Sequence, residues 1–321
     1  MADDLNSLNV LGVEIWGVNV SDFGTGALIL IMVTMGLTLR VSDFTRVLIM
    51  PKAALTGLFS QIILLPALAF LIVFLFQPPL AVGMGLIILS CCPSGATSNF
   101  FTHLARGDVA LSVTLTAISG FIVVFTLPLL VNLGLEVFAE PGQEIHLPFL
   151  PAMLRILLLI VFPIVAGMLM RRMLHKQAEK IEPYATRVSF VAILITMAIL
   201  LAHVWDHLGT IIRMALHVTL ALNITMMGLG FLGAKLLKVG EARSRTITIE
   251  IGVQNYILSV VVAAGMLGRP DFVAVPILYL FIMYITVFSF IAWCRFVRDP
   301  GLARQASYGR IETSNTESET L

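Results

Sequence analysis

Two polar runs interrupt long apolar segments, and both carry oxygen-rich side chains. The first is Ser90-Cys91-Cys92-Pro93-Ser94-Gly95-Ala96-Thr97-Ser98-Asn99; the second is Thr248-Ile249-Glu250-Ile251-Gly252-Val253-Gln254-Asn255. An uninterrupted membrane helix does not carry Pro, Gly, Ser, Thr and Asn together at its centre. Pro93 removes a backbone donor and clashes with the preceding turn, and Gly95 lets the chain leave helical geometry cheaply. Unwound backbone at membrane depth survives only where it is buried in protein or lines a watery cavity. Each run therefore predicts a broken helix with a site at the break. Hydroxyl, amide and carboxylate oxygens, with carbonyls freed by unwinding, suit a hard cation. The half-helix after Pro93 turns its positive end toward the break, which favours an anion. Burying an acidic residue at a helix centre costs about 2.5–3.5 kcal/mol on insertion scales, so Glu250 is a functional candidate. Its plainer reading, a helix-to-helix tie through a buried donor, stays open.

The elements that must hold these runs are membrane helices. The 321 residues are 58% hydrophobic and 12% charged, with a mean hydropathy of +0.98. No ordinary soluble domain has that balance. The net charge of +1 gives no reason to expect nucleic acid. Spans are expected at about 24–39, 52–76, 80–106, 108–134, 148–170, 187–205, 209–238, 241–267 and 270–297. Pro51, Pro78-Pro79, Pro148, Gly209 and Pro270 punctuate their starts. Leu80 to Cys91 gives roughly 18 Å of helix before the first break, over half of a hydrocarbon core of about 30 Å. That is the depth at which secondary transporters place substrate and ion sites.

Of the 20 Lys and Arg, only Arg155, Arg213 and Arg269 fall on one set of loops; the rest lie on the other. The alternation predicts a multi-pass protein of the cell membrane with its N-terminus outside and its C-terminus cytoplasmic. Residues 1–23 are expected outside the cytoplasm. They lack the basic region of a cleavable signal, and 299–321 read as a disordered tail. Spans one to four and six to nine each place the broken helix third, with opposite orientations, which predicts an inverted repeat. Cys91, Cys92 and Cys294 have no metal-binding spacing and read as buried small hydrophobes.

Four motifs resemble the bile acid:sodium symporter family in a bacterial-type member. They are Met35-Gly36-Leu37-Thr38-Leu39, Cys91-Cys92-Pro93-Ser94-Gly95 with Ser98-Asn99, Leu104-Ala105-Arg106-Gly107-Asp108-Val109-Ala110-Leu111-Ser112, and the run from Thr248 to Asn255. The match extends from about Thr34 to Arg298. It implies an all-α fold of about nine transmembrane helices in which two broken helices cross at the membrane midplane. Residues 24–39 and 148–205 would form a panel, and 52–134 and 209–297 a core. It implies two co-transported sodium ions and no organic cofactor. The first ion would be held by Ser98, Asn99, Ser112, Thr116 and Glu250, the second by Gln61, Glu250, Gln254 and carbonyls around Ile251 and Val253. An organic anion, bile-acid-like or a smaller carboxylate or sulfonate, would lie by Ala96, Thr97, Asn255 and Tyr284. The partners expected are this anion and the bilayer, for a monomer.

Ser112 and Thr116 are four apart and share a helix face. Two sodium ions balance Glu250 and a monovalent anion, so each cycle would carry one positive charge inward. The chain departs from the family in three ways. By this resemblance it would lack the first of ten helices found in some bacterial members. Tyr284-Ile285 stand where some of them carry a His-Asn pair, and Ser94-Gly95-Ala96-Thr97 replaces Gly-Gly-Thr-Ala. The last two alter the substrate pocket.

Other readings compete. Gln61 could be an interhelical hydrogen bond. His217 and His203 could relay protons, although a lone His in a span is more often satisfied in the bundle, and His103 reads as solvated. Arg106-Gly107-Asp108 reads as a helix stop, a Gly cap and an N-cap. A Ser94–His217 hydrolase lacks the nucleophile-elbow context, so no enzyme is expected. A proton-coupled or uncoupled organic-anion permease, or an arsenite-type exporter, is the nearer rival. Glu250 could serve a proton, but a proton needs no such sphere of oxygens.

Overall fold

The computed structural model describes residues 14–15, 18–139 and 145–298. Most of the expected outer N-terminus and all of the expected tail 299–321 lie outside the described residues, as does the side chain of His203. A two-residue antiparallel pairing of Glu14–Ile15 with Val18–Asn19 precedes the first helix. The rest is helical. The order is α1 (Val20–Thr38), α2 (Val41–Ile49), α3 (Pro51–Phe76), α4 (Leu80–Cys91), α5 (Thr97–Leu104), α6 (Val109–Phe138), α7 (Phe149–Met173), α8 (His175–Val204), α9 (Leu208–Leu236), α10 (Glu241–Gly252), α11 (Tyr256–Met266) and α12 (Ala274–Ala292). Six described helices are long and apolar enough to cross a membrane, and Phe23–Thr38, Leu80–Cys91 and Tyr256–Met266 are shorter apolar helices. The chain is a multi-pass membrane protein.

The expected third and eighth spans are each two helices, α4–α5 and α10–α11. The Arg106 stop holds with one correction. The left-handed residue is Arg106 itself, at φ 57°. Gly107 is needed for space, since a Cβ there would lie 2.8 Å from both Thr102 Cγ2 and Thr246 Oγ1. Asp108 is the N-cap, its carboxylate accepting from the Leu111 amide at 3.1 Å.

The largest helix contacts fall in two sets, which also touch each other through α6 with α7 and α1 with α11. α1 lies on α7 and α8, while α9 lies on α10 and α12, and α4 on α3 and α6. α12 is 61% buried over its apolar window and α8 only 22%, so α8 turns most of its surface to lipid. The α1–α7 contact is backbone to backbone. A Cβ on Gly167 would sit 2.2 Å from the Val33 carbonyl oxygen, and one on Gly36 2.2 Å from that of Ile164. Small residues permit such approach where apolar side chains gain little from leaving lipid. Gly167→Ala is therefore expected to cost about 1–3 kcal/mol through overpacking. A thermal melt of purified protein should fall by several degrees. Gly24→Ala, whose Cβ meets nothing within 4 Å, should leave the melt unchanged.

Candidate functional site

The two breaks meet. Cys92 (φ −73°, ψ 156°) and Val253 (φ −109°, ψ 100°) turn extended where α4 and α10 end. Ser94 and Gln254 then form an antiparallel bridge. The Gly95 amide donates to the Val253 carbonyl at 2.9 Å, and the Asn255 amide to the Pro93 carbonyl at 3.0 Å. Backbone groups released by unwinding thus satisfy one another, as a low-dielectric interior requires. Gly95 eases this approach, because a Cβ there would stand 3.2 Å from the Gln254 carbonyl oxygen, a tight contact.

On one side of the bridge lies Glu250, 1% exposed. Ser112 Oγ donates to its Oε2 at 2.6 Å, and Thr116 Oγ1 donates to Oε1. Ser98 Oγ is 3.4 Å from the Thr116 hydroxyl, and Thr102 donates to Ser112 Oγ at 3.3 Å. Beside Ser98, the buried Oδ1 of Asn99 has no hydrogen-bond partner. Among the described residues Glu250 has no ion-pair partner, and no group of three or more His, Cys, Asp or Glu could hold a metal ion. A buried charge is normally paired or bound to a cation. One carboxylate among neutral oxygens matches a monovalent cation, not a divalent one, on charge.

On the other side, Gln61 and Gln254 pair through their amides. Gln61 Nε2 donates to Gln254 Oε1 at 2.9 Å and to the Cys92 carbonyl at 3.0 Å. Gln254 Nε2 donates to Gln61 Oε1 at 3.2 Å and to the Ile251 carbonyl at 2.8 Å. Gln61 sits on a widened turn, Ser60–Leu64, closed by the Leu65 amide on the Ser60 carbonyl. Pro66, which follows, lacks the amide a regular turn would use, and such widened turns recur at functional sites. Gln61, Gln254, Ile251 and Val253 are thus brought together, whereas both oxygens of Glu250 face the hydroxyls. The carbonyl of Val253 also accepts from Ser94 Oγ at 3.2 Å.

A cavity of about 20 Å³ lies against the bridge, room for one water. Ala96, Thr97, Gln254 and Asn255 line it on one side, Leu28, Ile31 and Met32 of α1 with Ile193 of α8 on the other. Asn255 Oδ1 caps α11 by accepting from the Leu258 amide at 3.0 Å, which leaves its amide nitrogen as a donor. The helices α5 and α11 both begin at this cavity. Tyr284 is not on its wall. Its ring packs edge-on to Phe101 at 5.6 Å.

The profile of the sodium bile acid symporter family matches residues 25–211. The chain belongs to that family. It is 34% identical over 238 residues to the uncharacterized sodium-dependent transporter YocS of Bacillus subtilis, covering 74% of this chain and 72% of that protein. It is 33% identical over 249 residues to the probable chloroplastic sodium/metabolite cotransporter BASS1 of Arabidopsis thaliana, covering 76% of this chain and 59% of the plant protein. It is 25% identical over 259 residues to the hepatic sodium/bile acid cotransporter of Rattus norvegicus, covering 79% and 71%.

The family's sequence signal did not reach Asn223 and Tyr279. Asn223 Nδ2 donates to the Gly252 carbonyl at 3.1 Å and to the Tyr279 hydroxyl at 2.9 Å, and that hydroxyl donates to the same carbonyl at 3.0 Å. Both hold the end of α10, two residues past Glu250. His217 is the reverse case. It is exposed, with its ring 5.8 Å from that of Phe76, far from any relay in the interior.

Proposed function

We propose that this protein is a sodium-coupled symporter that imports an organic anion by alternating access. The buried, unpaired Glu250 among hydroxyls of α5 and α6 carries this reading. A sodium ion held by Glu250, Ser98, Asn99, Ser112 and Thr116 would offset the carboxylate and engage the orphaned Asn99 oxygen. A second ion would enter when the Gln61–Gln254 pair opens and its oxygens turn inward with the carbonyls of Ile251 and Val253. The anion would then lie by Ala96, Thr97 and Asn255, with Tyr284 off the present cavity wall, where two helix N-termini and an amide donor favour negative charge.

Nine spans would cross the membrane as an inverted repeat, with the bridge at the midplane and the C-terminus cytoplasmic. Helices α1, α7 and α8 would form the panel and the rest of the membrane helices the core. A drug-sized ligand needs about 300 Å³ or more, far above the cavity at the bridge. Substrate entry therefore requires the panel to separate from the core, and the wall residues of α1 and α8 mark where. The names of the relatives, which mention sodium, metabolites and bile acids, suit this reading. Tyr284-Ile285 and Ser94-Gly95-Ala96-Thr97 favour an anion matched to this pocket rather than a bile acid by default.

The deciding experiment is a thermal melt in sodium chloride and in potassium chloride at equal ionic strength. A ligand that binds only the folded state stabilises it by RT ln(1 + [L]/Kd), so sodium should raise the melting temperature by a few degrees. Equal melts in the two salts, with a strong response to pH, would favour proton coupling instead. Two further outcomes follow from the charge count and the basic loops. Uptake into vesicles should accelerate under an inside-negative potential; indifference to potential would exclude two sodium ions per monovalent anion. A reporter fused after Leu321 should report from the cytoplasm.

A further inference from the structure

A second, larger cavity lies at the basic ends of the helices, away from the bridge. It has a volume of about 530 Å³ and is bounded by the end of α1, by α2, by α6 and by the last turns of α7. Its rim carries Arg40, Arg171, Arg172 and His175, and its walls are Phe44, Phe121, Val165, Met168 and Leu169. Arg171 is already engaged, donating to the Leu37 carbonyl and pairing with Glu182 at 2.9 Å. His175 lies 3.4 Å from Glu179. Asp43 faces the same rim, its carboxylate accepting from the Arg40 backbone amide at 2.7 Å. The guanidinium groups of Arg40 and Arg172 have no ion-pair partner among the described residues.

We propose that this cavity holds an anionic phospholipid, its phosphate between Arg40 and Arg172 and an acyl chain along Phe44, Phe121 and Val165. Two arguments exclude a small soluble anion as the natural occupant. Val165 lies about 10 Å down α7 from Arg172, and Phe121 about 18 Å into α6 from Val109, so the apolar wall runs well past the charged rim. Val165 and Leu169 are also 38% and 50% exposed, so the groove opens sideways toward lipid. Charge at one end and a long apolar wall below it reproduce the profile of a phospholipid at the headgroup level, as in other basic pockets between membrane helices. Arginine suits phosphate because its planar fork can donate two bonds to it.

The test uses full-length protein in neutral detergent with added phosphatidylglycerol, phosphatidylcholine or soluble glycerol phosphate. Phosphatidylglycerol should raise the melting temperature by a few degrees, and the other two should not. Arg40→Gln/Arg172→Gln changes two exposed side chains, so it should melt near the wild type without lipid and lose most of the lipid effect. In Phe121→Trp, brominated phosphatidylglycerol should quench the new tryptophan more than brominated phosphatidylcholine does. Equal stabilisation by phosphatidylcholine or glycerol phosphate, an undiminished effect in the double variant, or equal quenching by the two lipids would each overturn the assignment.

Discussion

Glu250→Gln is expected to remove the sodium-specific rise in melting temperature and to reduce sodium-driven uptake at least tenfold, while the protein still folds. The argument rests on what surrounds the carboxylate. Ser112 and Thr116 donate to it, and hydroxyls can either donate or accept. An amide of the same shape can therefore be satisfied by the same neighbours. It also removes a buried charge that no cation balances among the described residues, which otherwise costs several kcal/mol before any ion binds. The variant should melt at or above the wild-type temperature in potassium chloride. In sodium chloride at about ten times Kd, the wild type gains about 1.4 kcal/mol, and the variant should gain none of it. The tenfold loss of uptake is the kinetic counterpart of the same energy. A variant that keeps the full sodium response would place the ion elsewhere. A variant that unfolds in both salts would make Glu250 a structural tie between α6 and α10, the plainer reading of a buried acid.

The breaks were legible because Pro, Gly and Ser within an apolar run have no other stable setting at that depth. The residues around them were legible one at a time: Gln61, Glu250 and Gln254 each stand out against Leu, Ile and Val. Their pairing was not, because Gln61 and Gln254 are 193 residues apart and the register between helices is not written locally in either. For the same reason Asn223 and Tyr279 passed as ordinary polar residues in apolar spans, although both fasten the Gly252 carbonyl. The helix α2 was missed because Val41–Ile49 is too short and too mixed to read as a span. It fits the boundary between membrane and water, with Val41 and Ile49 67% and 72% exposed. The helix α8 begins at His175, well before the expected 187. Its first turns are charged and resemble a loop in hydropathy, but the contacts of His175 with Glu179 and of Arg171 with Glu182 tie them down. Apolar length reports the membrane-embedded part of a helix, not the part that projects beyond it.

Ile31→Phe should abolish anion uptake and leave the sodium-dependent rise in melting temperature intact. Ile31 belongs to α1 and closes the small cavity opposite Thr97 and Asn255. The oxygen-bearing residues around Glu250 lie on other helices, α5, α6 and α10. A larger ring there would fill the cavity and stand where the proposed substrate would lie on separation of the proposed panel from the core. Overpacking a buried site costs about 1–3 kcal/mol, so the melt should shift downward in both salts by a similar amount. The difference between the salts is then the internal control, because only a folded core can produce it. Uptake should fall at least tenfold at saturating sodium. Retained uptake would mean that the anion passes elsewhere, and the boundary of α1 and α8 with the broken helices would lose its claim to be the substrate path. Loss of uptake together with loss of the sodium response would mean that α1 shapes the ion site itself, so that ion and anion bind as one unit. Ile31→Phe and Glu250→Gln would thus separate the two halves of the proposed mechanism: one should block the anion with sodium still bound, the other should remove sodium and with it the setting in which the anion would bind.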